Sequence, residues 1–203
     1  MKIAICPGHK PSARGAVNKQ YHLTEYDEMC KIVAILKSYL HDFRYSPEIF
    51  GLHDNIGLTR KVNAINKGGF DLAFDLHFNA DADHLDPDDS DDWRGYGSMV
   101  MYYPGSTKRK KQADTMSKAM FDKMEFDDGR NLGGREGWYW GSDVRNGKPT
   151  IIDYFLRATN CPAFIPEPGF IDRNRFCEEY LCSKQHDRIA NAIAYGIHAV
   201  ASE

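Results

Sequence analysis

The chain lacks the features that would place it quickly in several broad classes. It has no run of apolar residues long enough to span a bilayer, so no stable membrane insertion is expected. Its first residues, Met1 to Pro7, contain no apolar core of signal-peptide length before Gly8 and His9. It has no excess of basic charge; the formal net charge is −3, which argues against nucleic acid as a partner. The five cysteines (Cys6, Cys30, Cys161, Cys177 and Cys182) are odd in number and contain no CxxC pair, which speaks against a disulfide framework or a cysteine metal cluster. Reduced thiols packed as small hydrophobes, in a chain made in the cytoplasm, fit better. There is no HExxH pair, no internal repeat and no linker.

What remains is an ordinary globular composition, 42% hydrophobic and 27% charged, on 203 residues, enough for one sizeable core. Lys2–Cys6 reads as a buried strand and Gly8–His22 as a polar loop. Thr24 is placed to cap a helix from Glu25, with Asp27 and Glu28 in the first turn where acids are favoured. Met29, Val33, Leu36 and Leu40 form one helical stripe, and Leu58, Val62 and Ile65 another that Gly68-Gly69 ends. Residues 44–50, 70–76 and 97–103 read as strands. The segment 81–92, with seven aspartates, reads as a solvated loop whose spacing does not match an EF-hand. Lys108–Lys111 opens a helix to about Met124, its basic residues reading as a solvated helix start. Residues 129–148 read as a long glycine- and aromatic-rich loop, 151–156 and 163–165 as the last strands, and Ile189, Ile193, Ile197 and Val200 as a closing helix. The expected fold is α/β, a single domain with a twisted, mixed, mainly parallel sheet and helices on both faces.

Three apolar runs end at polar residues: Ile3–Cys6 before His9, Leu72–Leu76 before His77, and Ala163–Pro166 before Glu167. Taken one at a time, each has a plain reading: a hydrogen-bonded structural histidine, a carboxylate supporting a turn, and, for Glu25, an acid complementing a helix dipole. Together they are the residue types that gather at the strand ends of an open α/β sheet to form a hydrolytic zinc site.

The pattern resembles a known family. Cys6-Pro7-Gly8-His9, then Gly15-Ala16 and Glu25-Tyr26-Asp27, resemble the opening of the zinc-dependent N-acetylmuramoyl-L-alanine amidases. Leu58, Lys61, Val62, Ile65 and Asn66 resemble that family's second-helix pattern, with lysine at a position usually held by arginine. Asp75-Leu76-His77-Phe78-Asn79-Ala80 resembles its central histidine segment, with Asp75 in place of the usual serine. Pro162 to Ile171 resembles its closing catalytic segment. The similarity runs in order from Ile3 to the last helix, which implies one zinc amidase catalytic domain over residues 1–203.

The resemblance implies that His9, Glu25 and His77 bind one zinc ion and that Glu167 is the catalytic acid/base. Three N and O ligands leave room for water, whose acidity zinc would raise, and Glu167 would carry its proton to the departing amine. Asp75 stands open between orienting a ligand histidine and a packing role. Asn79 stands between substrate contact and holding a turn, and Trp138 and Trp140 between stacking on sugars and packing their own loop. The implied substrate is peptidoglycan, cut between N-acetylmuramic acid and L-alanine. The expected setting is a phage or prophage endolysin, without a fused wall-binding domain, made in the cytoplasm and reaching the wall with the help of another protein. A zinc peptidase acting on the stem peptides and a wall- or glycan-binding protein without catalysis are the competing readings.

Overall fold

The computed structural model describes residues 1–80, 97–126, 130–145 and 148–203, and for 139–145 and 148–150 the backbone alone. The chain folds as β1 (Lys2–Pro7), β2 (Val17–Asn18), β3 (Leu23–Thr24), α1 (Glu25–Asp42), β4 (Ser46–Ile49), α2 (Leu58–Gly68), β5 (Leu72–Leu76) and β6 (Gly97–Tyr102). It continues as α3 (Thr107–Met124), β7 (Arg130–Glu136), β8 (Trp138–Arg145), β9 (Lys148–Ile152), α4 (Tyr154–Ala158), β10 (Ala163–Glu167), α5 (Asn174–Phe176) and α6 (His186–Ala201). A π-helical stretch, Cys177–Cys182, follows α5.

Six strands form one sheet in the order β4-β1-β5-β10-β6-β7. Every pairing is parallel except β10 with β6. This is the mixed, mainly parallel sheet that the alternation of strands and helices leads one to expect. Each strand divides its side chains between two cores, because successive residues point to opposite faces. Ile3, Ile5, Phe74, Leu76 and Phe164 enter the larger core with the stripes of α1, α3 and α6. Ala4, Cys6, Ala73, Ala163 and Ile165 enter a smaller core with Val62 and Ile65 of α2 and Phe155 and Leu156 of α4. Small side chains on that face let the two short helices lie close against the sheet.

The chain leaves β1 through α1 on one face to reach β4, then returns through α2 on the other face to reach β5. The crossovers therefore diverge between β1 and β5, and the carboxyl ends of these strands frame a crevice, the usual ligand position in open α/β sheets. Thr24 caps α1 as its sequence predicts, its side chain accepting from the Asp27 N–H. Gly69, at φ 62°, ends α2 in the left-handed conformation that glycine adopts freely.

Three expectations need correction. Residues 130–145 are not a loop: β7 pairs with β6 at the sheet edge, and β8 pairs with β9 in a separate ribbon. Edge pairing asks little of side-chain hydrophobicity, so glycines and charges hide it. Residues 151–156 are not one strand, because Asp153 caps α4 by accepting from the N–H groups of Phe155 and Leu156 and so stops β9 at Ile152. The loop before α1 contains the short hairpin of β2 and β3. The aspartate-rich segment lies outside the described residues. Among the described residues no helix is long and apolar enough to cross a membrane.

A buried ionic contact ties α1 to α6. Glu28, 3% exposed, meets His186 Nε2 at 2.7 Å and Lys31 Nζ at 2.6 Å. Burial alone would raise the Glu28 pKa, but the hydrogen bonds from His186 and Lys31 outweigh it and hold the carboxyl below its ordinary 4.5. A lowered folded-state pKa stabilises the fold above the unfolded value, and that contribution disappears as pH falls through the folded one. Glu28→Gln should therefore lower stability at neutral pH by about 1.5–3 kcal/mol. The gap in melting temperature between variant and parent should be constant at neutral pH and close as pH drops below 4.5, which calorimetry across an acid series would check.

Candidate active site

The crevice at the ends of β1 and β5 holds a compact group of three side chains. His9 follows β1, Glu25 opens α1 and His77 follows β5, and one ligand-type atom from each lies within 4.8 Å of the others. Glu25 Oε2 is 2.9 Å from His9 Nε2, and Glu25 Oε1 is 2.8 Å from His77 Nδ1. The same carboxylate accepts from the Ala16 N–H at 3.0 Å and the Phe78 N–H at 3.2 Å. Burial of Glu25 alone would raise its pKa, but the bonds from His77 and His9 outweigh burial and hold it well below the ordinary carboxylate value. The two rings meet edge to face with centroids 4.9 Å apart. Glu25 is 3% exposed, His77 20% and His9 32%, so the group opens on its histidine side.

The local backbone is built for this convergence. Residue 9 sits at φ 64°, a left-handed conformation that a non-glycine residue adopts only when its surroundings hold it there. What holds it is Lys61. Its stem is buried on the apolar stripe of α2, and its Nζ donates to the carbonyls of Pro7 at 2.6 Å and His9 at 2.8 Å. The Gly8 N–H donates to the Leu76 carbonyl at 2.7 Å and carries the β1–β5 pairing into the turn. Two glycines leave room for the rings. A Cβ on Gly8 would lie 2.5 Å from the His77 ring, and one on Gly15 would lie 2.4 Å from both Glu25 Oε2 and the His9 ring. Gly15 also has φ 77°.

Glu167 closes β10 beside the group. Its Oε2 is buried and has no hydrogen-bond partner among the described residues. Burial pushes its pKa up to about 8; His77 works against this, while Glu25 and Asp153 add to it. The carboxyl therefore holds a proton near neutral pH in the metal-free protein. Asp75 Oδ2 lies 3.3 Å from His77 Nε2, the ring nitrogen facing away from Glu25. Burial would lower the His77 pKa, but Asp75 and Glu25 raise it well above 6.5. Asp153, raised by burial and then by the Asp75 charge, lines the same cleft, whose volume is about 570 Å³.

Four carboxyl groups therefore surround two imidazoles at one sheet edge. Two imidazoles and a carboxylate, converging and open on one side, fit a zinc ion that prefers N and O donors and keeps one position for a reactant. The glycine spaces that a Cβ would fill fit it as well.

The residues expected at the site separate into two sets. His9, Glu25, His77 and Glu167 come together. Asn79 is engaged internally: its Nδ2 donates to Met99 Sδ at 3.0 Å, its Oδ1 accepts from the Ala80 N–H, and its backbone pairs with Gly169 and Ile171. Trp138 lies on β8 and its Nε1 donates to Glu136 at 3.1 Å; the Trp140 side chain lies outside the description. The roles of two contributors, Lys61 and Asp153, escaped the sequence reading. Lys61 had a signal, since a lysine three residues after Leu58 and four before Ile65 lies on a buried stripe and must find acceptors there. Asp153 had only its position ahead of a short helix.

The chain is similar to known proteins over nearly its whole length. The family model described as N-acetylmuramoyl-L-alanine amidase matches residues 3–199. The curated N-acetylmuramoyl-L-alanine amidase CwlM of Bacillus licheniformis is 25% identical over 205 residues, covering 97% of this chain and 67% of that protein. Among solved structures, an N-acetylmuramoyl-L-alanine amidase from Clostridium difficile 630 superposes with a TM-score of 0.79 at 20% identity, covering 100% of this chain and 97% of the other. The catalytic domain of the CD27L endolysin, which targets Clostridia difficile, superposes at 0.70 and 22% identity, covering 98% and 97%.

Lys61→Met keeps the buried stem and removes both hydrogen bonds to the Pro7 and His9 carbonyls. Its expected effect is a stability loss of about 1–3 kcal/mol with the α/β fold retained. Limited proteolysis should also cut faster between residues 8 and 16, and unchanged cleavage there would contradict the anchoring role.

Proposed function

The chain belongs to the N-acetylmuramoyl-L-alanine amidase family, and from that membership we propose that it hydrolyses the amide between N-acetylmuramic acid and L-alanine in peptidoglycan, with one zinc ion held by His9, Glu25 and His77. The observation that carries this reading is the single buried carboxylate bridging two imidazoles, with the unpartnered Oε2 of Glu167 beside them. When bound, zinc supplies Lewis acidity that makes water a better nucleophile and the scissile carbonyl a better electrophile.

The chain's own groups do the rest. Glu25, itself fixed by the Ala16 and Phe78 N–H groups, would join the two rings in holding the ion. Glu167 takes the proton from the attacking water and gives it to the amide nitrogen as the C–N bond breaks, because an amide nitrogen departs only once protonated. The products are the carboxylate of the muramic acid lactyl group and the free amine of L-alanine. Burial raises the Glu167 pKa, and the positive charge of a bound divalent ion would lower it again, so that the carboxyl could accept a proton near neutral pH and then return it.

We also propose a phage or prophage lysin as its setting, with the enzyme made in the cytoplasm and released to the wall by another protein. The likeness to the catalytic domain of an endolysin is compatible with this. Induced in a bacterial cytoplasm, the protein should leave the culture intact until a membrane-permeabilising protein is co-expressed; lysis without one would reject that setting.

Digestion of purified peptidoglycan, with and without a zinc chelator, should release stem peptides bearing a free L-alanine amino terminus, and only when zinc is present. Mass spectra showing cuts confined to the stem peptide would replace the amidase with a peptidase. Glu167→Gln should lower kcat by about 10²–10⁴-fold while keeping one zinc per chain by metal analysis.

A further inference from the structure

Asp75 is the least explained group at the site. It lies on β5 two residues before His77, so the two side chains project from the same face of the strand. It is 3% exposed, and its Oδ1 is buried with no hydrogen-bond partner among the described residues. Its Oδ2 lies at hydrogen-bonding distance from His77 Nε2, 3.3 Å away. A buried carboxylate with one oxygen unpartnered is unfavourable for folding on its own account. Asn79 is fully engaged in its turn and Asp153 caps a helix, but Asp75 stabilises no backbone that the structure shows.

The His77 ring explains it. Its Nδ1 faces Glu25 and, beyond it, His9, so this is the nitrogen directed into the three-residue group. Its Nε2 faces Asp75. Only one of the two nitrogens of a neutral imidazole carries a proton, and the one that binds a metal must be the other. A carboxylate on the Nε2 side selects the form with the proton there and the lone pair on Nδ1. Given the metal centre proposed above, we infer that Asp75 is a positioning residue that fixes the His77 tautomer and ring orientation, leaving Nδ1 for the metal. Its buried charge also offsets the positive charge that a divalent ion brings to the site. The same strand thus supplies a ligand and its orienting group, which no turn or loop movement can separate.

The test compares the parent chain, untagged, stripped and reloaded with zinc, with Asp75→Ser and with the nearly isosteric Asp75→Asn. Zinc affinity is read by competition with a chromophoric chelator at one fixed pH, and the protonated nitrogen of His77 by ¹⁵N spectra of the zinc-loaded chain. Asp75→Ser should weaken zinc binding by about 10–100-fold, with Asp75→Asn in between. The metal-free melting temperature should not fall, and the parent should carry the His77 proton on Nε2. Equal zinc affinity in all three chains, or a His77 proton on Nδ1 in the parent, would overturn the role. A metal-free melting temperature that falls in both variants in step with zinc affinity would make Asp75 a folding residue and overturn it as well. A parent chain that binds no zinc fails differently, because it removes the metal centre itself, whereas the outcomes above leave that centre standing.

Discussion

Glu25 accepts from two imidazoles and two backbone N–H groups at once, and the surrounding structure is organised to make this possible. A carboxylate removed from water is unfavourable unless its lone pairs are used. Here His9, His77, Ala16 and Phe78 use them. The first turn of α1 adds the positive end of a helix dipole. Four parts of the chain are thereby fixed relative to one another: the turn after β1, the loop ahead of β2, the start of α1 and the end of β5. The backbone continues the same link, since the Glu25 N–H donates to the Ala16 carbonyl and the Tyr26 N–H to that of Arg14. The loop from Gly8 to Thr24 is long, but it is stitched to its own helix at the point where the chemistry sits.

A second constraint answers the first. Bringing His9 to Glu25 bends the backbone through a left-handed residue, and the ammonium of Lys61 holds that bend by binding the carbonyls on both sides of Gly8. Lys61 is itself enclosed: a Cβ on Gly51 would lie 2.4 Å from its Cε. The smaller core therefore contributes more than hydrophobic burial. It delivers one cation to the underside of a site whose working groups are otherwise rich in carboxylates. The larger core, with α1, α3 and α6, carries most of the packing and leaves the α2 and α4 side free for the cleft.

Much of this was legible in the residues. Thr24 ahead of Glu25 marks a cap by local chemistry alone, and the alternation in β1 and β5 states which side chains share a face. The order of the apolar runs and their polar ends identifies the edge where His9, His77 and Glu167 meet. What could not be read depends on distant partners. The strand nature of 130–136 comes from pairing with β6, and no periodicity within Arg130–Glu136 encodes it. Asp153 reads as one more acid until α4 is seen to begin behind it. Asn79 reads as a turn residue or a substrate contact, and the bonds to Met99 and Gly169 that favour the turn come from distant parts of the chain. Asp75 looks like a flaw in an apolar strand, and its reason lies in which nitrogen of a neighbouring ring it faces.

The alternation of β5 has a consequence for how such a chain can change over time. Phe74 and Leu76 anchor the strand in the larger core, while Asp75 and His77 project from the opposite face. With a side-chain period of two, losing or gaining one residue inside Leu72–Leu76 would not merely displace the site; it would turn the strand inside out, sending a carboxylate into the three-helix core and a phenylalanine into the cleft. Substitutions in β5 can be graded in effect, but single-residue insertions and deletions there cannot. Variation in length is confined to the connections between strands, and the number of residues in this strand is as much a part of the site as the identity of any one of them.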